Sequence, residues 1–284
     1  MAEKDISEKI LESYNEVFAD IVNVLLFDGE QVINPADLTD QAPRSAYKTD
    51  GKLREVERDV AKRWTKGNIR IACLGLENQT AADPYMTLRV IGYDGMEYRA
   101  QLNRGNGYYP VVTLVLYFGT EKHWTAPRSL HETLDIPDRL KPFVQDYKIN
   151  LFEIAYLTPD DVKKFRSDFR YVADYFVQMR MTGDYQPETE DIEHFYEVAQ
   201  MLRVMTNDSR FEEAAIASQR GEVKNMSEFL DRLEAKKEAE VRESVASEML
   251  TDSEPIQKIE RYSKLSEEEI RKLAEKLGVT VNEG

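Results

Sequence analysis

The sequence predicts a mixed α/β core followed by a helical C-terminal extension. Apolar residues among the first 27 positions recur at helical spacing, which indicates one or two amphipathic helices. Two apolar stretches, "YPVVTLVLYFGT" and "INLFEIAYL", indicate buried strands further along the chain. After Thr158 the pattern is helical throughout. Strands that alternate with helices, followed by helices alone, are typical of one α/β core with an appended helical part.

A β-hairpin is predicted before the first of these buried strands. Residues 52–64 mix polar and apolar side chains without a helical period, and "IRIACLGL" is a short β-rich run. Lys66-Gly67-Asn68 lies between them and is a turn signal. Helical spacing then returns over residues 84–102. The predicted order is therefore helix, hairpin, helix, strand, strand and helices.

We expect three parts along the chain: a core at 1–185, a helical arm at 186–250 and a small helical segment at 251–284. Residues 221–250 are rich in Glu, Lys, Arg and Ala, with apolar residues at intervals, as in an amphipathic or coiled-coil arm. Ser266 and Glu269 fit a capping box at the start of a helix in the last part.

Composition limits the function classes. The 284 residues carry a net charge of -15 and no run of about 18 apolar residues, and the N-terminus lacks the layout of a signal peptide. We therefore expect a cytoplasmic protein that does not enter a membrane. The single cysteine, Cys73, excludes an internal disulfide and is expected in the core. There is no Walker-type phosphate loop, G-x-S-x-G elbow or H-E-x-x-H pattern, which disfavours nucleoside triphosphatases, serine hydrolases and zinc proteases.

One stretch departs from the acidic average. Between positions 44 and 70 there are nine basic side chains against four acidic ones. This basic strip is either an ordinary solvated strand pair or a source of phosphate contacts, and charge alone favours the first interpretation. Its members are Arg44, Lys48, Lys52, Arg54, Arg58, Lys62, Arg63, Lys66 and Arg70.

The predicted hairpin carries carboxylates that converge in one register. If the turn has three residues, Thr65 pairs with Ile69, and Glu57 lies across from Glu77. In that register Glu57, Asp59, Glu77 and Gln79 point to one face of the sheet, whereas a four-residue turn without a bulge puts Asp59 on the other face. Two carboxylates and a backbone carbonyl suffice to hold Mg²⁺. From spacing alone, solvated carboxylates at an exposed strand end are the favoured explanation of the pattern.

Several blocks in order resemble the Rpn family of recombination-promoting nucleases, also described as "putative transposases", within the PD-(D/E)XK superfamily. The blocks are "RDVAKRW", "IRIACLGLENQT", "MTLRVIGYDGMEYRAQL", "YPVVTLVLYFGT" and "INLFEIAYLTPDDVKKFRSDFRYVADYF". The resemblance runs from about Glu16 to about Met181. It implies a restriction-endonuclease-like core, in which a central mixed sheet is flanked by helices.

The resemblance also implies roles for residues of the hairpin. Asp59 and Glu77 match the metal-binding acids of the family, and Asn78 would offer its backbone carbonyl to the same Mg²⁺ ion. Gln79 stands where the wider superfamily has a lysine. A glutamine cannot supply the positive charge, but its amide can orient a water molecule by hydrogen bonding.

Other residues are secondary candidates on the same resemblance. Asp20, in the first helix, either approaches the metal or is an exposed helical side chain. Arg89 and Tyr93 are one helical turn apart and would share a face, where they contact phosphate or brace the site through Glu77. Trp64 and Trp124 are expected to pack in the interior.

The function implied is that of a Mg²⁺-dependent DNA endonuclease that promotes recombination or transposon-like DNA mobility. The alternative is a catalytically weak or inactive nuclease fold that binds DNA or protein and oligomerises through its C-terminal helices. Residues 221–284 hold 11 basic and 16 acidic side chains, so we expect the C-terminal helices to mediate homo-oligomerisation and not to read DNA.

Overall fold

Two compact units make up the chain, Met1–Lys224 and Asn225–Gly284. The structure, a computed structural model, describes residues 11–40, 44–49, 52–57, 60–64, 66, 69–75, 82–104, 107–206 and 208–284, with backbone alone at 44–49, 52–57 and 69–75. The division at 224 differs from the three parts expected from the sequence, which remain a prediction.

The first unit begins with an amphipathic helix, α1 (Asn15–Phe27), whose apolar face is fully buried. The helix ends where the Asp28-Gly29 signal predicts, because both residues adopt positive φ, 55° and 88°. The Asn23 side chain then accepts from the backbone N–H of Val32 and Ile33, at 3.1 and 2.9 Å. These bonds hold the returning chain against the helix.

A five-stranded mixed sheet forms the centre of the first unit, in the order β1-β4-β5-β6-β7. The pairs β1–β4 and β4–β5 are antiparallel, and the pairs β5–β6 and β6–β7 are parallel. Strands β2 and β3 form a separate antiparallel pair. The strands are β1 (Leu38–Asp40), β2 (Arg44–Thr49), β3 (Lys52–Glu57), β4 (Val60–Trp64), β5 (Ile69–Gly75), β6 (Val111–Tyr117) and β7 (Asn150–Glu153).

Both faces of β6 are buried, as its continuous apolar sequence predicts. Val115 and Tyr117 pack against Tyr93 of the long helix α2 (Met86–Arg104), while Leu114 points to the opposite face and is also fully buried. The helix predicted at 84–102 and the buried strand β6 are therefore confirmed. The second predicted strand is present as β7, but it covers only Asn150–Glu153 and is not buried, and the chain continues there as a 3₁₀ turn. The fold is mixed α/β, although its central sheet is small.

Helices complete the first unit. None of the helices among the described residues is long and apolar enough to cross a membrane. Short 3₁₀ turns occupy Pro35–Asp37, Lys141–Phe143 and Ile154–Tyr156. The remaining α-helices are α3 (Leu130–Thr133), α4 (Pro159–Val162), α5 (Phe169–Thr182), α6 (Phe195–Thr206) and α7 (Arg210–Gln219).

The second unit is a small helical bundle made by α8 (Met226–Thr251), α9 (Ile256–Ser263) and α10 (Glu267–Leu277). Its core contains Leu250, Ile259 and Ile270, which are almost completely buried. The predicted capping box is confirmed, since Ser266 Oγ accepts from the N–H of Glu269 and the Glu269 carboxylate accepts from the N–H of Ser266.

The capping box at the start of α4 gives stability a pH dependence. Asp161 accepts hydrogen bonds from Lys164 and Thr158, and these lower the pKa of its carboxyl from 3.8 to about 2. Because the folded-state pKa is below the unfolded value, this stabilisation is present above about pH 4 and is lost as the pH falls toward 2. We expect the destabilisation caused by Asp161→Asn to shrink between about pH 5 and pH 3. Urea unfolding of both proteins across that range measures it, and a constant difference would contradict the assignment.

Candidate active site at one edge of the sheet

The strand order brings several strand ends to the same edge of the central sheet. β5, β6 and β7 are parallel and end there at Gly75, Tyr117 and Glu153. β4 is antiparallel to β5 and therefore begins at the same edge, where Val60 pairs with Cys73. We call this the carboxyl edge. In open α/β sheets, ligands bind preferentially outside such an edge.

The main sequence-predicted residues fall next to this edge along the chain. Asp59 directly precedes the first residue of β4, and Glu77 follows the last residue of β5 by two positions. Asp59, Glu77, Asn78 and Gln79 themselves lie outside the described residues. Their predicted roles in holding metal and positioning water therefore stay predictions.

The register predicted for the hairpin is wrong in its described part. Trp64, and not Thr65, pairs with Ile69, so four residues separate the paired ends instead of three. A one-residue slip moves every side chain of one strand to the other face. If the pairing continued regularly beyond Val60 and Cys73, Asp59 and Glu77 would point to opposite faces. One extra residue on either strand, a β-bulge, would return them to the same face.

Glu57 does not take the position predicted for it. It is the last residue of β3 and pairs with Arg44 in the two-stranded sheet, whereas the sequence predicted that it would lie across from Glu77. The segment predicted as one hairpin strand, residues 52–64, is divided between two sheets. The pattern of polar and apolar residues does not reveal such a change of sheet, because side chains alternate with the same two-residue period in every strand.

Asp20 is buried and not an exposed helical side chain, so that alternative is wrong. Its carboxylate Oδ2 accepts from the backbone N–H of Arg166 and of Ser167, at 2.8 and 2.7 Å. These two N–H groups precede α5 and belong to the turn that leads into it. Oδ1 has no hydrogen-bond partner among the described residues, and Asp20 is one of the residues that line a cavity of about 220 Å³. Asp20 thus joins α1 to the start of α5.

Arg89 and Tyr93 share a face of α2, as predicted. The Arg89 guanidinium donates to Tyr93 Oη at 3.2 and 3.3 Å and to the Asp83 carboxylate at 2.9 Å. Burial disfavours the charged form of Arg89, but the hydrogen bonds to Asp83 and Tyr93 raise its pKa above the ordinary value. Arg89 is therefore a fixed positive charge in the first turn of α2.

Two members of the basic strip are used inside the fold. Lys62 is 1% exposed, and its Nζ donates to Asn15 Oδ1 at 2.6 Å and bonds Asp40 Oδ1 at 2.5 Å. The Arg63 guanidinium lies over the Tyr109 ring, 4.9 Å from its centroid. Lys62 in particular cannot reach a phosphate, which corrects the expectation for this member of the strip.

A cluster that the sequence did not single out lies at the carboxyl edge beside β6 and β7. Glu153, the last residue of β7, accepts from the N–H of Trp124 at 2.5 Å and contacts His123 and Arg128 at 3.2 and 3.3 Å. Trp124 is buried in the core, as predicted. The available signal in the sequence was Glu153, a carboxylate within the predicted strand "INLFEIAYL".

The described residues contain no group of three or more His, Cys, Asp or Glu side chains that could hold a metal ion. A protein-family model described as "Putative transposase, YhgA-like" matches residues 29–207, which is more than half of the chain. No curated protein and no solved structure matches.

Proposed function

The chain belongs to the YhgA-like putative transposase family, and we propose on that basis that it is a Mg²⁺-dependent DNA endonuclease acting in recombination or transposon-like mobility. The family suggests a function related to nuclease activity or transposition, and an interaction with DNA. The finer proposal is that the central sheet and its helices form a restriction-endonuclease-like core, which hydrolyses phosphodiester bonds.

The strand order at the carboxyl edge is the observation that carries the proposal. Val60 and Gly75, the first residue of β4 and the last of β5, lie at that edge on neighbouring strands. Asp59 and Glu77 continue the chain from them by one and two residues. Neighbouring strands are about 4.8 Å apart, so two carboxylates that leave them at one edge are within reach of a common ion.

The chemical roles follow from the residue types. The carboxylates of Asp59 and Glu77 and the backbone carbonyl of Asn78 are hard oxygen donors of the kind that Mg²⁺ prefers. A divalent ion held there would polarise a phosphoryl oxygen and lower the pKa of a bound water. The Gln79 amide would orient the attacking water by hydrogen bonding, without the positive charge that a lysine brings.

The proposal carries a structural requirement. Asp59 and Glu77 must share one face of the hairpin, so a one-residue bulge must lie between them and the Val60–Cys73 pair. Bulges are common next to active sites, where they redirect a side chain. The separation of β3 from β4 into two sheets at this point is consistent with an interruption of regular pairing.

The test is a cleavage assay on supercoiled plasmid DNA with the full-length protein. We expect nicked or linear product with Mg²⁺ or Mn²⁺ and none in EDTA, since the chain offers no Walker loop or serine nucleophile motif for another route. Cutting that is equally fast in EDTA would contradict a metal-dependent mechanism.

The register of the described hairpin favours a second candidate, a nuclease fold without activity that binds DNA or a partner and associates through α8 to α10. If regular pairing continues, the two carboxylates separate and no metal is held. Calorimetric titration with Mn²⁺ separates the candidates: one binding event supports the endonuclease, and no heat of binding supports the binding protein.

A further inference from the structure

The loop that follows β6 is held rigidly at the carboxyl edge. Tyr117 Oη donates to the carbonyl of Lys122 at 3.2 Å, and the Trp124 ring packs edge-on against Tyr117, with centroids 5.4 Å apart. Gly119 is required for this close approach, because an added Cβ would lie 2.1 Å from Tyr117 Oη. The bond from Trp124 N–H to Glu153 fixes the other end of the loop. The side chain between these anchors, His123, is therefore presented in one place.

His123 is exposed although it stands on this rigid support. Its ring stacks on Tyr156 with centroids 3.7 Å apart and an interplanar angle of 29°. The side chain is still 67% exposed. The Arg180 guanidinium lies over the same tyrosine, 5.1 Å from its centroid, and its Nε donates to the Ala155 carbonyl at 2.6 Å. His123 and Tyr156 thus form a stacked pair, which we call the aromatic platform.

Basic groups accompany the platform. Arg128 is about half exposed and bonds the Glu153 carboxylate at 3.3 Å, and His123 contacts the same carboxylate at 3.2 Å. Lys122 is adjacent to His123 in the loop and is exposed. Aromatic rings beside lysine and arginine are the arrangement with which proteins bind single-stranded nucleic acid: the rings stack on bases and the cations contact phosphates.

The platform lies at the edge on which the endonuclease proposal depends. Glu153, to which His123 and Arg128 are bonded, ends β7, two strands away from β5. Two strand spacings are about 10 Å. At a rise of about 3.4 Å per nucleotide, that corresponds to about three nucleotides along one DNA strand. A strand held with its scissile phosphate beside the end of β5 would reach His123 a few nucleotides away.

We propose that the aromatic platform is a binding site for an unpaired base of single-stranded or locally opened DNA, which stacks on the exposed His123 ring while Lys122 and Arg128 contact its phosphates. This inference rests on the proposed function for its substrate class. Paired bases inside a duplex are already stacked on their neighbours, so the platform selects DNA with an unpaired base near the cutting site.

The test is binding of a short fluorescein-labelled single-stranded oligonucleotide, measured by anisotropy in EDTA so that no metal-dependent cutting occurs. His123→Ala is expected to raise Kd by about 5- to 150-fold, the range that corresponds to the loss of one base–aromatic stacking contact. His123→Tyr keeps an aromatic face and is expected to retain most of the affinity. Tyr262→Ala removes an aromatic side chain that is 61% exposed in the second unit, and it serves as the matched control without effect.

A second readout reports stacking directly. The fluorescence of 2-aminopurine in the oligonucleotide should be quenched by the wild-type protein and by His123→Tyr, but not by His123→Ala. Equal Kd values for wild type and His123→Ala, or equal quenching, would overturn the platform. If the wild-type protein cuts plasmid DNA and His123→Ala binds the oligonucleotide with wild-type affinity, the platform proposal is contradicted and the endonuclease proposal stands. If His123 is needed for binding the oligonucleotide but the wild-type protein does not cut plasmid DNA, only the endonuclease proposal is contradicted.

Discussion

Alanine at Asp59 or at Glu77 is expected to reduce Mg²⁺-dependent cutting of plasmid DNA by more than about 100-fold. Loss of a residue that only hydrogen-bonds to a metal ligand already lowers metal affinity or activity roughly 10- to 100-fold, and loss of a direct ligand lowers them further. Both residues adjoin strand ends and not the centre of the sheet, so the variants should remain folded. Initial rates of nicking, measured on proteins with matched circular dichroism spectra, give the comparison.

Glu57→Ala is the matched control for these variants. It removes a carboxylate two residues from Asp59, but Glu57 ends β3 and pairs with Arg44 in the other sheet. We therefore expect cutting close to the wild-type rate. Equal activity in Asp59→Ala and the wild type would point to a contaminating nuclease or to a different site, and a loss in Glu57→Ala as large as in Asp59→Ala would contradict the division between the sheets.

Asp20→Ala is expected to lower the free energy of unfolding by about 3 to 5 kcal/mol. The substitution leaves the N–H groups of Arg166 and Ser167 without their acceptor, and each buried unsatisfied group costs roughly 1 to 3 kcal/mol. It also opens a space next to the cavity that Asp20 lines. Urea denaturation at neutral pH measures the change, and a loss below about 1 kcal/mol would show that the two bonds contribute little.

Asp20→Asn separates this structural role from a role in holding metal. The amide oxygen can still accept from both N–H groups, so the variant should be clearly more stable than Asp20→Ala. If Asp20 only joins α1 to α5, Asp20→Asn should also cut DNA at a rate close to that of the wild type. A stable Asp20→Asn protein that no longer cuts would show that the carboxylate is needed in the active site.

Helix ends could be predicted from the sequence because their signals are local. Asp28 ends α1 with a left-handed conformation, and Ser266 with Glu269 starts α10 through reciprocal hydrogen bonds. Each signal involves residues a few positions apart, so the sequence contains all of its partners. The buried strand β6 was predictable for a related reason, since its continuous run of β-branched and other apolar residues is itself a local signal for a strand buried on both faces.

The parts that could not be predicted depend on distant contacts or on a single residue of register. The turn between β4 and β5 has one more residue than the Lys66-Gly67-Asn68 signal indicates, and that difference exchanges the two faces of the hairpin. The burial of Asp20 requires residues about 146 positions away. The aromatic platform joins His123 to Tyr156, and neither residue stands in a recognisable motif.

The central claim is that Asp59 and Glu77 hold one divalent ion at the carboxyl edge of the sheet. The most direct measurement is anomalous scattering from a crystal of the protein soaked in Mn²⁺. We expect an anomalous peak within about 2.0 to 2.4 Å of a carboxylate oxygen of each residue, the range of hard-cation coordination, with a β-bulge beside it. Carboxyl groups on opposite faces of the hairpin, with no peak between them, would contradict it.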